Sequence, residues 1–395
     1  MKRSLDTVND TTHIFILPAL LQVGGNTLAQ RAGAWQVRVN EANGRLAEYQ
    51  REIDDIAFRL YGIEGEDRRA IEESLGGGAQ GAGVEVEAEQ EAPTEEEAEA
   101  EVPADAHGLV ASLLSWAVGV ALGRWDVRLA TGERPLPELP DPFAPLPVCS
   151  PGILTGEDGL PLRTAPKGYP LQVDWDGLLV DDSEHPDDIV RRVRDVLDLL
   201  WGERADSIER EACDILAVKE LRDYFRDPKR FWDDHIKRYS KSRRKAPIYW
   251  LLQSPKRNYA IWLYYHRLDS DILFKALNNY VEPKLNHEER RLAELQAERM
   301  SAGASGKDAK RLEKEIDRQE ALLADVREFR DRLERAAKLY LVPDLNDGVI
   351  LNIAPLWELV PWKEPKAYWE ELLKGKYEWS SIGKQLREKG LVPLS

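Results

Sequence analysis

The stretch from Lys310 to Leu341, KRLEKEIDRQEALLADVREFRDRLERAAKLYL, sets the fold class of this chain. Its charged side chains recur at three- and four-residue spacing, the separation at which neighbours on a helix surface meet. A similar arm, HEERRLAELQAERM (287–300), precedes it, and SAGASGKD separates the two arms. Because each arm is apolar along one side, we predict an antiparallel helical hairpin of coiled-coil type over 284–341.

Segments outside this hairpin extend the helical pattern. Apolar residues recur at helical spacing from Asn26 to Tyr61, where Gly62 is a suitable C-cap, and HGLVASLLSWAVGVALGRWD (107–126) predicts a buried helix. Only short segments, such as YAIWLYYHRL (259–268), alternate like strands. The predicted fold class is therefore mainly α with small β elements (α+β).

The composition divides the chain into parts. Between Gly76 and Asp105, nine Glu and one Asp occur without a basic residue, so this segment carries −10 of the formal charge of −16 and leaves −6 for the rest. Such a segment has too few apolar residues to fold, which predicts a disordered acidic linker. Five regions are expected: an N-terminal helical segment (1–75), the acidic linker (76–106), a mixed α/β domain (107–283), the helical hairpin (284–341) and an apolar, helical tail (342–395).

A basic and aromatic stretch, FWDDHIKRYSKSRRKAPIYW (231–250), stands out in this acidic chain. Cationic groups for phosphates and flat rings for bases are typical of nucleic-acid binding. The alternative is a solvated basic face whose aromatic side chains turn into the core. The candidate phosphate-binding residues are Lys237, Arg238, Lys241, Arg243, Arg244 and Lys245, with Lys256 and Arg257 extending the track. The candidates for stacking are Tyr239, Tyr249 and Trp250, and core packing is at least an equal alternative for the last two.

Sequence motifs for catalysis are absent. The chain has no GxGxxG, no P-loop, no nucleophile elbow and no Asn-Pro-Pro-aromatic tetrapeptide, and its six His and two Cys show no zinc-site spacing. We expect no catalytic residue and no metal ligand. An acidic group including Asp174, Asp176, Asp181, Asp182 and Glu184 leaves a metal-dependent nuclease as an alternative, beside a capping role.

Targeting signals are also absent from the sequence. No apolar run reaches the roughly 20 residues of a membrane helix, and the polar start lacks a signal-peptide core. We expect a cytoplasmic protein without a membrane partner.

Seven blocks of the sequence resemble the region after the methylase domain in large one-polypeptide restriction–modification proteins. These are the adenine-specific DNA methyltransferases of type IIG restriction systems and of phage-defence systems, such as the BREX methyltransferase PglX and the DISARM methylase. The blocks are NDTTHIFILPALL (9–21), IDDIAFRLYGIEGEDRRAIEESL (53–75), LLSWAVGVALGRWDVR (113–128), DPFAPLPVCSPGIL (141–154), YPLQVDWDGLLVDDSEHPDDIVRRVRDVLDLLWG (169–202), LRDYFRDPKRFWDDHIKRYSKSRRKAPIYWLLQS (221–254) and DLNDGVILNIAPLWELVPWKEPKAYWEELLKGKYEWSSIG (344–383).

The resemblance implies a C-terminal region without its methylase domain. Family members are much longer, and a SAM-binding Rossmann-like domain and an Asn-Pro-Pro-Tyr motif precede their recognition region. Neither occurs in this sequence. The resemblance therefore implies a split gene product, a truncated gene or a fragment. No catalytic or SAM-binding residue carries over, and SAM is expected on a partner or on the missing domain.

The leading hypothesis is a non-catalytic module that binds double-stranded DNA for an N6-adenine methyltransferase subunit in restriction–modification or anti-phage defence. The first alternative is a protein-docking module of a defence complex, whose surfaces would be the helix over 26–61 and the helical hairpin. The second alternative is the nuclease.

Overall fold

The computed structural model describes residues 2–76, 105–139, 141, 143–173, 175–241, 244–301 and 307–392. The helices of the first half are α1 (Lys2–Asp6), α2 (Leu28–Tyr61), α3 (Gly65–Gly76), α4 (Ala106–Ala121), α5 (Arg128–Thr131), α6 (Ile189–Trp201) and α7 (Ala205–Ile215). Those of the second half are α8 (Leu221–Arg226), α9 (Phe231–Arg238), α10 (Ile272–Lys275), α11 (Glu282–Ser301), α12 (Lys307–Ala337), α13 (Val349–Ile353), α14 (Glu364–Leu373) and α15 (Ser381–Glu388). The strands are β1 (Leu178–Val180), β2 (Ser240–Lys241), β3 (Arg244–Lys245), β4 (Tyr249–Gln253) and β5 (Ala260–Tyr264). The predicted fold class, mainly α with small β elements, is confirmed.

The long N-terminal helix begins and ends where its capping residues predict. The Thr27 hydroxyl accepts a hydrogen bond from the Gln30 amide at 3.1 Å, and Gly62 ends α2 in the left-handed conformation at φ 64°. The amides of Leu28 and Ala29 donate to the Glu211 carboxylate on α7, both at 2.8 Å, which places an anion at the positive end of the helix. The inner end of α2 is therefore held against the body of the protein.

The main sheet is small and fully covered. Its antiparallel order is β1–β5–β4, and the register places Trp262 between Leu179 and Leu251. Every residue of the three strands is buried. Both faces of the sheet are therefore covered, and α4 and α6 pack against each other within the same core.

The predicted helical hairpin is present as α11 and α12, which pack along one another. The side of α12 that faces the core carries Leu323, Val326, Phe329 and Leu333, all nearly inaccessible to solvent. The turn predicted between the two arms includes residues 302–306, which lie outside the described residues.

One hydrophobic core runs from Leu5 to Val360 and joins the N-terminal segment, the sheet and α12. A smaller cluster, which includes Leu351, Leu372 and Leu386, lies in the C-terminal tail. The predicted linker falls largely on 77–104, outside the described residues, and the predicted domain boundaries stay predictions. None of the described helices has both the length and the apolar character required to span a bilayer.

Candidate nucleic-acid interface

The basic and aromatic stretch forms a helix, a short β-hairpin and a buried strand. After α9, strands β2 and β3 pair antiparallel, with Ser240 opposite Lys245 and Lys241 opposite Arg244. The chain then enters β4 in the core. We call residues 240–245 the basic hairpin. The side chains of Lys241 and Arg244, and Arg243 as a whole, lie outside the described part of the structure.

The first end of the basic hairpin is fixed by Tyr239, the residue before β2. Its hydroxyl accepts a hydrogen bond from Arg124 Nη1 at 2.5 Å and donates one to Asp10 Oδ2 at 2.8 Å. Burial raises the pKa of Tyr239 well above its usual value, so the hydroxyl stays protonated and remains a donor. Arg124 also donates to the Tyr249 hydroxyl at 3.3 Å and to the Asp10 carbonyl at 3.2 Å.

The second end of the basic hairpin is fixed by His235 on α9. Its Nε2 accepts hydrogen bonds from the backbone amides of Ile248 and Tyr249, both at 3.0 Å. The ring stacks on Tyr249 with 4.8 Å between centroids. Burial, with the nearby cations Arg238 and Arg124, lowers the pKa of His235 well below its usual value, so the ring is neutral and can accept both hydrogen bonds.

These side chains form a connected polar network, which we call the anchor and define as Asp10, Arg124, His235, Tyr239 and Tyr249. Its packing is close. At Gly119 in α4, an added Cβ would lie 2.5 Å from the Tyr249 hydroxyl, so only glycine fits there. The anchor holds both ends of the basic hairpin in the core while the hairpin strands carry the charge.

Lys237, next to the basic hairpin, and Lys245, within it, are both exposed. The Lys237 side chain is 71 % exposed and pairs with Asp233 at 2.8 Å, and Lys245 pairs with Glu364. Arg238 differs from both. Its side chain is only 13 % exposed and lies 3.9 Å from Asp10, so it faces the anchor rather than solvent.

Lys256 and Arg257 lie in the turn between β4 and β5, at the opposite end of β4 from the basic hairpin. The Lys256 amide donates to Asp325 at 2.8 Å, and Arg257, at a left-handed φ of 62°, pairs with Asp227 at 3.3 Å. A strand of this length separates the two groups by about 17 Å. They do not form one local cluster with the basic hairpin.

Two of the proposed stacking residues lie in the core. Tyr249 and Trp250 are 0 % and 1 % exposed, and the Trp250 indole donates to the Pro247 carbonyl at 2.9 Å. Their rings are not accessible to a base in this conformation, because both faces are packed against protein. Tyr239 is partly buried, and its hydroxyl is committed to the anchor.

The described carboxylates behind the nuclease alternative pair with basic side chains of the protein itself. Among the described residues, no group of three or more His, Cys, Asp or Glu side chains could hold a metal ion. Asp174 lies outside the described residues. The partners of the others are Lys275 for Asp176 at 2.8 Å, Arg222 and Arg226 for Asp181, Lys284 for Asp182 at 3.0 Å, and His287 for Glu184 at 2.8 Å.

Sequence reasoning missed the contributions of Asp10 and Arg124 to this site. One available signal was ALGRWD, in which Arg124 follows a long apolar helix at a position where a charge needs a partner. The identity of that partner is not encoded locally, since Tyr239 lies 115 residues away along the chain.

Comparison with known proteins relates the chain to two bacterial enzymes, although no family model matches it. Adenine-specific methyltransferase BrxX of Escherichia coli O9:H4 (strain HS) is 27 % identical over 271 residues, which cover 64 % of this chain and 20 % of that protein. Adenine-specific methyltransferase PglX of Lacticaseibacillus casei (strain Zhang) is 27 % identical over 173 residues, covering 44 % of this chain and 13 % of that protein.

The sequence similarity confirms that the chain contains a PglX-like region, as the sequence blocks predicted. The chain spans a fifth or less of the length of these curated relatives.

Proposed function

We propose that this chain is a non-catalytic module that holds double-stranded DNA for an N6-adenine methyltransferase of a restriction–modification or anti-phage defence system. The observation that carries the proposal is a basic hairpin fixed at both ends, in a chain that is similar to two adenine-specific methyltransferases over up to 64 % of its length. SAM and the methylase chemistry would reside on the portion that the relatives possess in addition.

The register of the basic hairpin supports a polyanionic partner. Lys241 and Arg244 are cross-strand partners, and like charges at paired positions destabilise a two-stranded ribbon by several tenths of a kcal/mol. A phosphate group beside the pair would offset this repulsion. The hairpin therefore gains stability when an anion binds.

The exposed ion pairs of Lys237 and Lys245 do not oppose this role. Surface ion pairs contribute about 0–1 kcal/mol, so exchange of Asp233 or Glu364 for a phosphate costs little. Arg238 acts as a positioning residue, since it faces Asp10 in the anchor. Contacts of this kind orient a duplex without reading its sequence.

The test is duplex binding by the purified chain across a salt series, with the double variant Arg243→Ala, Arg244→Ala. Removal of two phosphate contacts should lower the slope of log K against log salt by roughly 2 and weaken all sequences alike. The matched control is Arg290→Ala, Arg291→Ala, which removes an adjacent pair of exposed arginines from α11. An unchanged slope in the hairpin variant, with normal unfolding, would refute the proposal.

A second candidate function is docking of the methyltransferase portion that lies beyond the matched region in the relatives. The inner half of α2 buries Leu28, Trp35 and Ala42. On the outer half the same apolar side continues without cover, where Tyr49 is 54 % and Ile53 is 59 % exposed. Exposed apolar stripes of this kind mark protein contacts, and the relatives carry four-fifths or more of their length beyond the matched region.

This second candidate predicts that Ile53→Glu with Ile56→Glu abolishes co-purification of the chain with the remaining portion of a BrxX-type methyltransferase. The chain's own fold should persist, because both positions are exposed. Undiminished capture by this variant would remove the outer half of α2 as the docking surface.

A further inference from the structure

A cleft of about 520 Å³ lies between the turn after α4, the Pro-rich segment and the end of β5. This volume lies within the roughly 300–1,000 Å³ that small-molecule sites occupy. Arg124, Arg163, His266 and Arg267 contribute to its polar side, and Val148 and Leu160 supply an apolar side. Among its described lining residues there is no carboxylate.

Arg163 and Arg267 in this cleft lack the carboxylate partners that nearby arginines have. Arg128 and Arg134 both bind the buried Asp126, at 2.8 and 2.9 Å. Within the described chain, neither Arg163 nor Arg267 lies within ion-pair distance of a carboxylate. The cleft therefore presents net positive charge to whatever enters it.

Arg267 is held in place before any ligand binds. Its guanidinium lies over the Trp175 ring at 5.1 Å and donates from Nη2 to the Leu162 carbonyl. Its stem packs on Gly177, where an added Cβ would lie 2.6 Å from the Arg267 Cβ. Burial, together with the charge of Arg163, lowers the pKa of Arg267, and a bound anion would offset the repulsion between the two guanidinium groups.

The apolar side of the cleft is exposed to solvent. Val148 is 84 % and Leu160 is 51 % exposed, although both line the cleft. A fork-shaped cation beside an apolar surface fits a ligand with a phosphate at one end and a flat, weakly polar ring at the other.

We propose that this cleft binds a nucleotide, whose phosphate is held by Arg163 and Arg267 and whose base packs on Val148 and Leu160. The site does not depend on DNA binding by the basic hairpin. The nucleotide is either a free mononucleotide or a residue of a DNA strand, and the two sources share the same phosphate chemistry.

Cys149 provides a direct measurement, because it lines the cleft and is partly exposed, whereas Cys213 is buried. The rate of alkylation of Cys149 by iodoacetamide would be followed by mass spectrometry at alkaline pH, since burial raises the pKa of this thiol. The probes are a mixture of the four deoxynucleoside monophosphates, a short single-stranded oligonucleotide and inorganic phosphate. A bound nucleotide at ten times its dissociation constant should slow the reaction roughly tenfold.

The variant Arg163→Gln should raise the nucleotide concentration needed for half-maximal protection about tenfold, because one charge-assisted hydrogen-bond donor is lost. The matched control is Lys167→Gln, an exposed cation of the same segment that does not line the cleft. Retained protection in Arg243→Ala, Arg244→Ala would separate this site from the basic hairpin.

Protection by mononucleotides as well as the oligonucleotide supports a site for free nucleotides, and protection by the oligonucleotide alone supports a site for a nucleotide within a strand. Absence of protection by all probes would overturn the proposal. So would equal protection by inorganic phosphate, or protection that Arg163→Gln leaves unchanged.

Discussion

The anchor and the basic hairpin adjoin each other at Tyr239, yet their charged and polar groups are in opposite physical states. In the anchor, Arg124 donates a hydrogen bond to Tyr239, which in turn donates one to Asp10, so these groups have fixed partners inside the protein. In the hairpin region, Lys245 shares an exposed ion pair with Glu364 that water and salt can replace. Buried polar groups are expensive to leave unpaired, whereas exposed pairs exchange partners at little cost.

Because of this difference, we expect substitutions within 231–250 to affect either stability or DNA binding, depending on the residue. Changes in the anchor should lower the free energy of unfolding, because they leave buried groups without partners. Changes in the basic hairpin should alter salt-dependent DNA affinity and leave unfolding nearly unchanged. Residues 231–250 thus contribute both to stability, through the anchor, and to the proposed DNA binding, through the basic hairpin. The sequence alone does not distinguish these two roles.

The largest expected effect is on Arg124. Replacement by Met leaves the Asp10 carbonyl and the hydroxyls of Tyr239 and Tyr249 without their common donor, which should lower the unfolding free energy by about 3 kcal/mol. Chemical denaturation measures this loss. The control Arg290→Met, on the surface of α11, should change stability by no more than about 0.5 kcal/mol. A loss below about 1 kcal/mol for Arg124→Met would show that the anchor does not stabilise the fold.

The next effect is a pH dependence that comes from His235. Its folded-state pKa is lowered, so the unfolded chain binds the proton more readily and the stability from the neutral ring is complete above about pH 6.5. This stability should fall as the pH drops below that value, by up to about 1.4 kcal/mol per pH unit. The difference in unfolding free energy between wild type and His235→Asn should stay constant above about pH 7 and shrink below it. A difference that is independent of pH would mean that His235 is not held neutral.

Local patterns predicted the parts of the fold that depend on local physics. The helical spacing of 26–61 and the left-handed cap at Gly62 gave α2 nearly to the residue, because both signals lie within the helix. The charge spacing of 284–341 likewise predicted the pair α11 and α12. The resemblance blocks predicted the similarity to adenine-specific methyltransferases.

Local patterns could not predict which aromatic residues are buried. Tyr249 and Trp250 lie on a strand whose two faces are both covered, so the polar alternation that marks a half-exposed strand is missing. The contact of Tyr239 with Asp10 spans 229 residues, and no spacing rule reaches that far. The sequence of 231–250 therefore indicated a basic and aromatic segment. The structure was needed to show which of its residues pack in the core and which are exposed.

The smallest expected effect is on duplex affinity and comes from the acidic segment 77–104. It tests whether this segment competes with DNA for the cationic side chains of the basic hairpin. Replacement of this segment by Gly and Ser of equal length removes nine carboxylates and keeps Asp105, whose carboxylate caps α4 through the Gly108 amide at 3.3 Å. A segment of this composition acts mainly as a solvated spacer, so we expect duplex affinity to change by no more than about threefold. The measurement is the same salt series used for the hairpin variants. A tightening of tenfold or more that disappears in Arg243→Ala, Arg244→Ala would instead make the acidic segment a competitor for the basic hairpin. In that case Glu364, the acidic segment and DNA phosphates would all compete for the basic hairpin, and this competition would regulate DNA binding.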